Sequence, residues 1–478
     1  MTRAVVLGGG FAGVLVAKVL SRHVDEVTVV EGGRYPVGPG ARTGLPQAFH
    51  SHVLVTAGAE ALETVLPGTL RALLDQGAHR RGLADGALIL SADGWFRRHE
   101  TGAFLVSCSR WLMDHVIRQR ALADGAVSVR ERTRVLGLVG DASRVSGVVV
   151  AGEDGSAETL HADIVVDATG RRSRAVRWLA AIGGPGVEEE VVDSGQAYST
   201  RIYRAPPGLA AGIPAVMVHP RPENGRPAFG ATVFPIEGGR WIFTLTGTRA
   251  AAPPTDERGF TGCARALRSP IVAELLGAGE PLGGVRPYRA TANRRRFYER
   301  AAMPDGFLVV GDALTAVNPV YSHGMSVALL SAVRLDRELA RRGADPRVLP
   351  GLQAAVAHVA AGSWKMATDQ DRVRARAGAH GSASDAGHRM RARVSKAVLT
   401  SPALMTQLFR SQTLVSAPAP VPVPSLWAAE PPLPSGVSGD ANPPRDTDEA
   451  VAQFPGLREW WFSGPRHHRP TREENRDD

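Results

Sequence analysis

Cysteine is nearly absent from this chain: 478 residues carry two, Cys108 and Cys263. At most one disulfide and no cysteine metal cluster can follow, so the expected setting is a reducing cytoplasm. Lysine is scarce as well, and the net charge of +9 rests almost wholly on arginine, spread along the chain rather than gathered in one stripe. That distribution argues against nucleic-acid binding, although a basic surface can attract an anionic substrate or an acidic carrier protein. No apolar run is long enough to span a bilayer. Residues 4–20 look superficially like a signal peptide, but a triple glycine interrupts them and no small-residue cleavage site follows. A G-x-S-x-G nucleophile elbow is missing too, and neither cysteine has a spacing that marks a nucleophile. With 44% apolar residues the chain can still bury a large core, in two domains plus extensions, since single cores rarely grow past about 300 residues.

The first thing present is a nucleotide site. An apolar strand, Ala4-Val5-Val6-Leu7, runs into Gly8-Gly9-Gly10-Phe11-Ala12-Gly13, then a helical stretch to about Arg22, a second strand Val27-Thr28-Val29-Val30, and Glu31-Gly32. Gly8 permits the tight turn, Gly10 lets a pyrophosphate approach the backbone, and Gly13 lets the helix pack on the strand. The phosphates would rest on the amino end of the helix at Phe11 and Ala12, where unpaired N–H groups and the positive end of the dipole face them. Glu31, at the end of the second strand, is placed to accept hydrogen bonds from ribose hydroxyls. An acid there disfavours a 2′-phosphate, which reads as NAD or FAD rather than NADP.

Residues 1–180 carry this nucleotide fold, 185–300 alternate like an antiparallel-sheet domain, and 303–345 return to the nucleotide fold. A helical region over 346–414 and a proline-rich extension with a disordered tail over 415–478 complete the chain. Gln196 to Tyr203 alternates with period two, and Thr232–Pro235 and Trp241–Thr246 flank a Glu237-Gly238-Gly239-Arg240 hairpin turn. One face of such a sheet can line a pocket, and the lining expected here is Tyr198, Thr200, Ile202, Phe234, Trp241 and Phe243. The basic segment from Arg372 to Arg393 is expected to be exposed. Nine prolines between Ala417 and Arg445 predict extended polyproline II. Trp460-Trp461-Phe462 reads as a packing anchor for the extension, with a partner-binding motif as the alternative.

A second signal is Phe307-Leu308-Val309-Val310-Gly311-Asp312-Ala313, a buried strand that stops at Gly-Asp, followed by Asn318-Pro319-Val320-Tyr321-Ser322-His323-Gly324-Met325 opening an apolar helix. A carboxylate at the strand end can hold a ribityl hydroxyl, while the helix amino end can stabilise negative charge on a flavin ring. With both motifs in place, the chain resembles the FAD-dependent monooxygenases of the para-hydroxybenzoate hydroxylase fold from about Thr2 to Asp345. The resemblance implies an α/β, mixed α+β fold: a Rossmann-like FAD-binding domain interleaved with an antiparallel-sheet substrate domain, here with a helical and proline-rich C-terminal extension. Arg42-Thr43-Gly44-Leu45-Pro46 resembles the loop that meets the flavin. Ser109-Arg110-Trp111-Leu112-Met113-Asp114 resembles the helix start whose arginine, Arg110, contacts FAD, and Val135 resembles the backbone partner of adenine. Pro46-Gln47-Ala48-Phe49-His50-Ser51-His52 and the Asn318–Met325 loop are most similar to the flavin epoxidases of polyether-antibiotic, that is polyketide, pathways.

That narrower resemblance implies epoxidation of alkenes on a hydrophobic polyene, free or carried by another protein, through a C4a-hydroperoxide of reduced FAD and O2. Pro319, Ser322, Gly324 and Met325 would seat the ring, and His50, Pro319 and Gly324 are the flavin-facing candidates. One departure stands in Ile164-Val165-Val166-Asp167-Ala168-Thr169-Gly170-Arg171-Arg172-Ser173, where Thr169 replaces the aspartate of many hydroxylases. No second G-x-G-x-x-G exists to bind a nicotinamide independently, so electrons come either from NAD(P)H directly or from a separate flavin reductase. Aromatic hydroxylation, double-bond reduction of the geranylgeranyl-reductase kind, and a non-redox binding protein on the same fold, as in the Rab-escort type, are the rival readings. His50-Ser51-His52 could ligate a metal only with further ligands that the sequence does not place, so no metal is expected. Arg294-Arg295-Arg296 with Tyr298 reads either as a clamp for a substrate carboxylate or as a solvated basic turn.

Overall fold

The computed structural model of the chain describes residues 1–42, 44–209, 212–221, 228–378, 385–416 and 443–463. Its base is a five-stranded parallel sheet in the order Phe307–Val309, Ile164–Asp167, Arg3–Leu7, Glu26–Val30, Ser128–Arg130. The three central strands are rich in Val, Ile and Leu because the parallel sheet is covered by the helix Phe11–Leu20 and by a three-stranded antiparallel sheet, Arg134–Gly140, Val145–Ala151 and Ala157–His161. The helix Phe11–Leu20 lies so close to the first strand that a Cβ at Gly13 would sit 1.8 Å from the Gly8 carbonyl oxygen. The late strand pairs Phe307 with Val165 and Val309 with Asp167, which brings the Gly311-Asp312 turn to the same sheet edge as the glycine fingerprint.

A second, six-stranded sheet runs Glu280–Tyr288, Gln196–Arg204, Arg240–Thr248, Gly230–Ile236, Ala215–Val218, Ala87–Leu90. Its hairpin closes between Ile236 and Arg240, with Gly238 at φ +71° and Gly239 at φ +64°, the left-handed pair that a tight two-strand turn requires. All neighbours are antiparallel except the last, where Ala87–Leu90 joins Ala215–Val218 in parallel. The sheet expected from 185–300 alone therefore takes its edge strand from the first 180 residues. A parallel partner needs a long crossover and leaves no hairpin signal to read.

The two faces of this sheet do different things. One, bearing Val216, Val233, Trp241, Phe243 and Leu245, packs on helices Glu257–Arg265 and Ile271–Ala278 and on the C-terminal pair Thr447–Ala452 and Pro455–Ser463. Trp461 is buried in that core, while Phe462 is 40% exposed. The other face, with Ile89, Phe234 and Ile242, looks toward helices Asp385–Thr400 and Pro402–Gln412, which follow the long helix Leu349–Gly378. The Ala417–Pro424 run, the tail after Pro465 and the middle of the Arg372–Arg393 segment lie outside the described residues. Among the described residues, no helix is long and apolar enough to cross a membrane, and no group of three or more His, Cys, Asp or Glu side chains is arranged to hold a metal. Cys108 and Cys263 are separate, buried free thiols.

Candidate active site

Gly10 caps the fingerprint helix with extended backbone, φ −76° and ψ −173°, and nothing lies within 4 Å of the place its Cβ would occupy. The amino end of the helix is thus open to a ligand at the point where its N–H groups point outward. Glu31 is not a free carboxylate. One oxygen accepts from Gly9 N at 2.9 Å and pairs with Arg42 at 2.9 Å, and the other accepts from Gly33 N at 2.8 Å. Each carboxylate oxygen has two acceptor sites, so capacity remains for a ribose hydroxyl. Val135 follows Thr133, whose N–H donates to the Glu31 carbonyl at 2.9 Å, and so lies at the same strand end. Gly32 directly follows Glu31 there.

Two residues that carried no motif belong to this corner. The Tyr35 hydroxyl donates to the Gly9 carbonyl at 2.9 Å, and its ring lies between the guanidinium groups of Arg42 and Arg118, 4.7 and 4.5 Å from the centroid. Burial and the Glu31 charge push the phenol pKa up, so it stays a neutral donor. Arg110, at the start of the helix Arg110–Ala121, pairs with Asp114 at 2.7 Å and lies over the Phe11 ring at 5.3 Å. A crevice of about 10 Å³, room for one water, is lined by Gly10, Phe11, Arg42, Asp114 and Arg118.

The Gly311 turn meets the fingerprint directly: with φ +61°, its absent Cβ would lie 2.9 Å from Ala12 Cβ. A Cβ at Gly324 would come no nearer to anything than 3.8 Å from Asp312 Oδ1. Burial pushes the Asp312 carboxyl up, and Arg171 and Arg110 pull it back. An open helix end at Gly10, an acid at each side and a second open glycine at Gly324 are the features that a dinucleotide site requires, and the fold brings them to one end of the parallel sheet. Thr169, in place of an aspartate, donates through N–H and Oγ1 to the buried Asp167 carboxylate at 2.8 and 2.6 Å.

Beyond Gly324 opens a cavity of about 430 Å³. Pro319, Ser322 and His323 stand at one side, while Met325 is buried in the helix behind them. Val394, Val398, Leu399, Leu408 and Phe409 form an apolar roof that the sequence did not announce. Among the described lining residues, Asp93 is the one acid, and no Lys or Arg is present. Opposite the roof runs a polar stripe: His50 Nδ1 pairs with Thr200 Oγ1, Thr200 Oγ1 with Thr244 Oγ1, and Thr244 Oγ1 with Ser51 Oγ, each at 2.8 Å. Burial lowers His50 to about 4; burial and Arg110 lower His52 to about 3, so both rings are neutral at neutral pH.

Tyr198 and Phe234 line the cavity; Thr200 stands behind His50, and Ile202 packs in the apolar cluster of the same face. The expectation that Trp241 and Phe243 line it is corrected. Phe234 pairs with Ile242, so Ile242 and Thr244 share its face, and alternation sends Trp241 and Phe243 to the far side, beside Tyr203 and Phe260. Arg294–Arg296 is neither a clamp nor a solvated turn. It belongs to the strand Asn293–Arg296, with Arg295 and Arg296 buried and paired to Glu299 at 2.6 Å and Glu189 at 2.8 Å.

A family model described as an FAD binding domain matches residues 1–366. Protein Rv3254 of Mycobacterium tuberculosis is 29% identical over 358 residues, 71% of this chain and 73% of its own length. The 6-methylpretetramide 4-monooxygenase of Streptomyces rimosus is 27% identical over 388 residues, 74% of this chain and 79% of its own. In fold, the chain is similar to the p-nitrophenol 4-monooxygenase PnpA of Pseudomonas putida DLL-E4, with a TM-score of 0.59, 18% identity, and coverage of 86% of this chain and 99% of that one.

Proposed function

The chain belongs to the FAD binding domain family, and on that premise we propose that it is a flavin-dependent monooxygenase that epoxidises alkenes of a hydrophobic, polyketide-type polyene. The observation that carries this reading is the 430 Å³ cavity, without Lys or Arg in its described lining, whose wall includes the Pro319–His323 loop. A pocket of that size and character takes an uncharged, mostly apolar molecule and turns a strip of hydroxyls toward its polar edge. The Streptomyces rimosus relative, named as a monooxygenase, supports the reaction class.

FAD, when bound, activates O2 and passes one oxygen atom to the substrate. The chain's own residues do the rest. The Phe11 and Ala12 amides, with Arg110, would hold the pyrophosphate, Glu31 and Val135 the adenosine side, Arg42 and Asp312 the middle, and Pro319, Ser322, Gly324 and Met325 the ring. His50, neutral and tied to Thr200, offers its other ring nitrogen to the substrate side without introducing charge. The roof helices keep water away from the reacting carbon atoms. Electrons come from NAD(P)H or a separate flavin reductase, and the substrate is free or carrier-bound.

A second reading, hydroxylation of an aromatic ring, is favoured by the His50–Thr200–Thr244–Ser51 chain, which offers a phenol hydroxyl hydrogen-bonding partners on the cavity wall. The purified protein is expected to be yellow, to consume O2 faster when a polyene is added, and to yield a product with one added oxygen as an epoxide. A product with one added oxygen and a retained phenol selects the second reading. A colourless protein that takes up no FAD overturns both.

A further inference from the structure

Between the Gly311 turn and the helix that starts at Gly324, the chain makes a loop held in part by helices that follow it in the chain. Asp371, in the long helix Leu349–Gly378, is fully buried. Its Oδ1 accepts from the Tyr321 hydroxyl at 2.5 Å, and its Oδ2 from Asn293 Nδ2 at 2.7 Å and Asn318 Nδ2 at 3.1 Å. Two residues on, His323 pairs through Nδ1 with Ser363 Oγ of the same helix at 3.0 Å, and through Nε2 with the Gln412 carbonyl at 2.9 Å. Between these anchors Ser322 is held at φ +57°, a left-handed conformation that disfavours any residue bearing a Cβ. Such a conformation persists where its surroundings over-determine it. Ser322 also faces the cavity, so the anchors decide what the loop presents there.

We propose that Asp371 is a positioning residue: acting through Tyr321 and Asn318, it sets the Asn318–His323 loop and so the seat of the flavin ring. An amide of the same shape disturbs this network. Asn293 and Asn318 both aim N–H groups at Oδ2, and neither can turn over. The Asn293 oxygen accepts from Asn318 N at 2.7 Å, while the Asn318 oxygen accepts from Val320 N at 3.2 Å and from the Tyr198 hydroxyl. An amide nitrogen at 371 therefore either meets the asparagine donors or turns the Tyr321 hydroxyl from donor to acceptor, so that its proton must find another partner.

This proposal rests on the FAD reading, and two measurements test it without any substrate: FAD affinity by fluorescence titration, and the visible spectrum of the bound flavin. Asp371→Asn is expected to weaken FAD by about tenfold or more and to shift the flavin absorption bands. Tyr321→Phe, which removes one donor and leaves the core filled, is expected to do the same more weakly. The double variant is expected to fall short of the product of the two effects, because both act through one contact. Should Asp371→Asn not fold, Tyr321→Phe alone decides. Unchanged FAD affinity and spectrum in Tyr321→Phe, with only the melting temperature of the apoprotein lowered, would show a structural role and overturn the proposal. A wild-type chain that binds no FAD overturns it together with the functional reading, whereas variants at parity with an FAD-binding wild type overturn it alone.

Discussion

Gly311 and Ala12, drawn from opposite ends of the nucleotide fold, touch: a Cβ on Gly311 would lie 2.9 Å from that of Ala12. Gly311→Ala therefore combines a left-handed φ, costing about 1–2 kcal/mol, with a contact that neither turn can relieve without moving. A lower melting temperature and loss of FAD uptake are the expected results. A variant that keeps both would show that the two turns are not coupled.

The fingerprint glycines separate packing from ligand approach. Gly13→Ala drives a methyl to 1.8 Å from the Gly8 carbonyl and is expected to unseat the first helix, seen as loss of soluble, folded protein. Gly10→Ala meets nothing within 4 Å and has backbone angles that alanine adopts. Its circular dichroism and melting temperature are expected to match the wild type while FAD affinity drops. Retained FAD affinity in Gly10→Ala would remove the pyrophosphate from that place.

His50 makes a pH prediction with a definite sign. Its folded value of about 4 lies below the unfolded 6.5, so the native state resists protonation. The contribution is complete above pH 6.5 and is lost as pH falls from there through 4, up to about 3 kcal/mol. His50→Gln has no proton to gain. Chemical denaturation of the two proteins from pH 7 to 4 should show the wild type losing stability faster; parallel curves would place the ring in a more solvated setting.

Thr169 donates two hydrogen bonds to Asp167, and restoring an aspartate at 169 would set a second carboxylate against the first. Thr169→Asp is expected to cost about 2 kcal/mol or more, with the gap to wild type widening from pH 5 to pH 8 as both groups ionise. A neutral or stabilising result in a thermal melt would mean that the turn rearranges.

Phe409, 3% exposed and 5.0 Å from the Phe96 ring, is part of the cavity roof. Phe409→Ala is expected to cost about 3–5 kcal/mol and to admit water beside the flavin site. More hydrogen peroxide released per O2 consumed is the expected readout, at unchanged FAD affinity. An unchanged ratio would show that the roof does not shield the reaction.

What could be read from the sequence was what the chain writes locally. Glycine spacing announced the turn at Gly8 to Gly13, and a buried strand ending in Gly311-Asp312 announced the return. Period-two alternation revealed the sheet, but not which phase faced the cavity, because Trp241 and Phe243 are as apolar as any lining residue and the threonines that do line it look like surface. The roof at Val394 to Phe409 and the Asp371 anchor depend on contacts between segments far apart in sequence, for which no local pattern exists. Tyr35 and Arg118 escaped notice for the same reason. Arg294–Arg296 misled through composition, since Arg296 is matched by Glu189, on a strand that only the folded chain brings near, while Glu299 lies four residues from Arg295.

The parallel pairing of Ala87–Leu90 with Ala215–Val218 carries a consequence for how the polypeptide is made. On a ribosome the earlier strand emerges long before its partner and waits unpaired, and the base sheet likewise stays open until Phe307–Val309 arrives. Neither lobe can be cut out and expected to fold alone, so a lesion in one should be felt as loss of both.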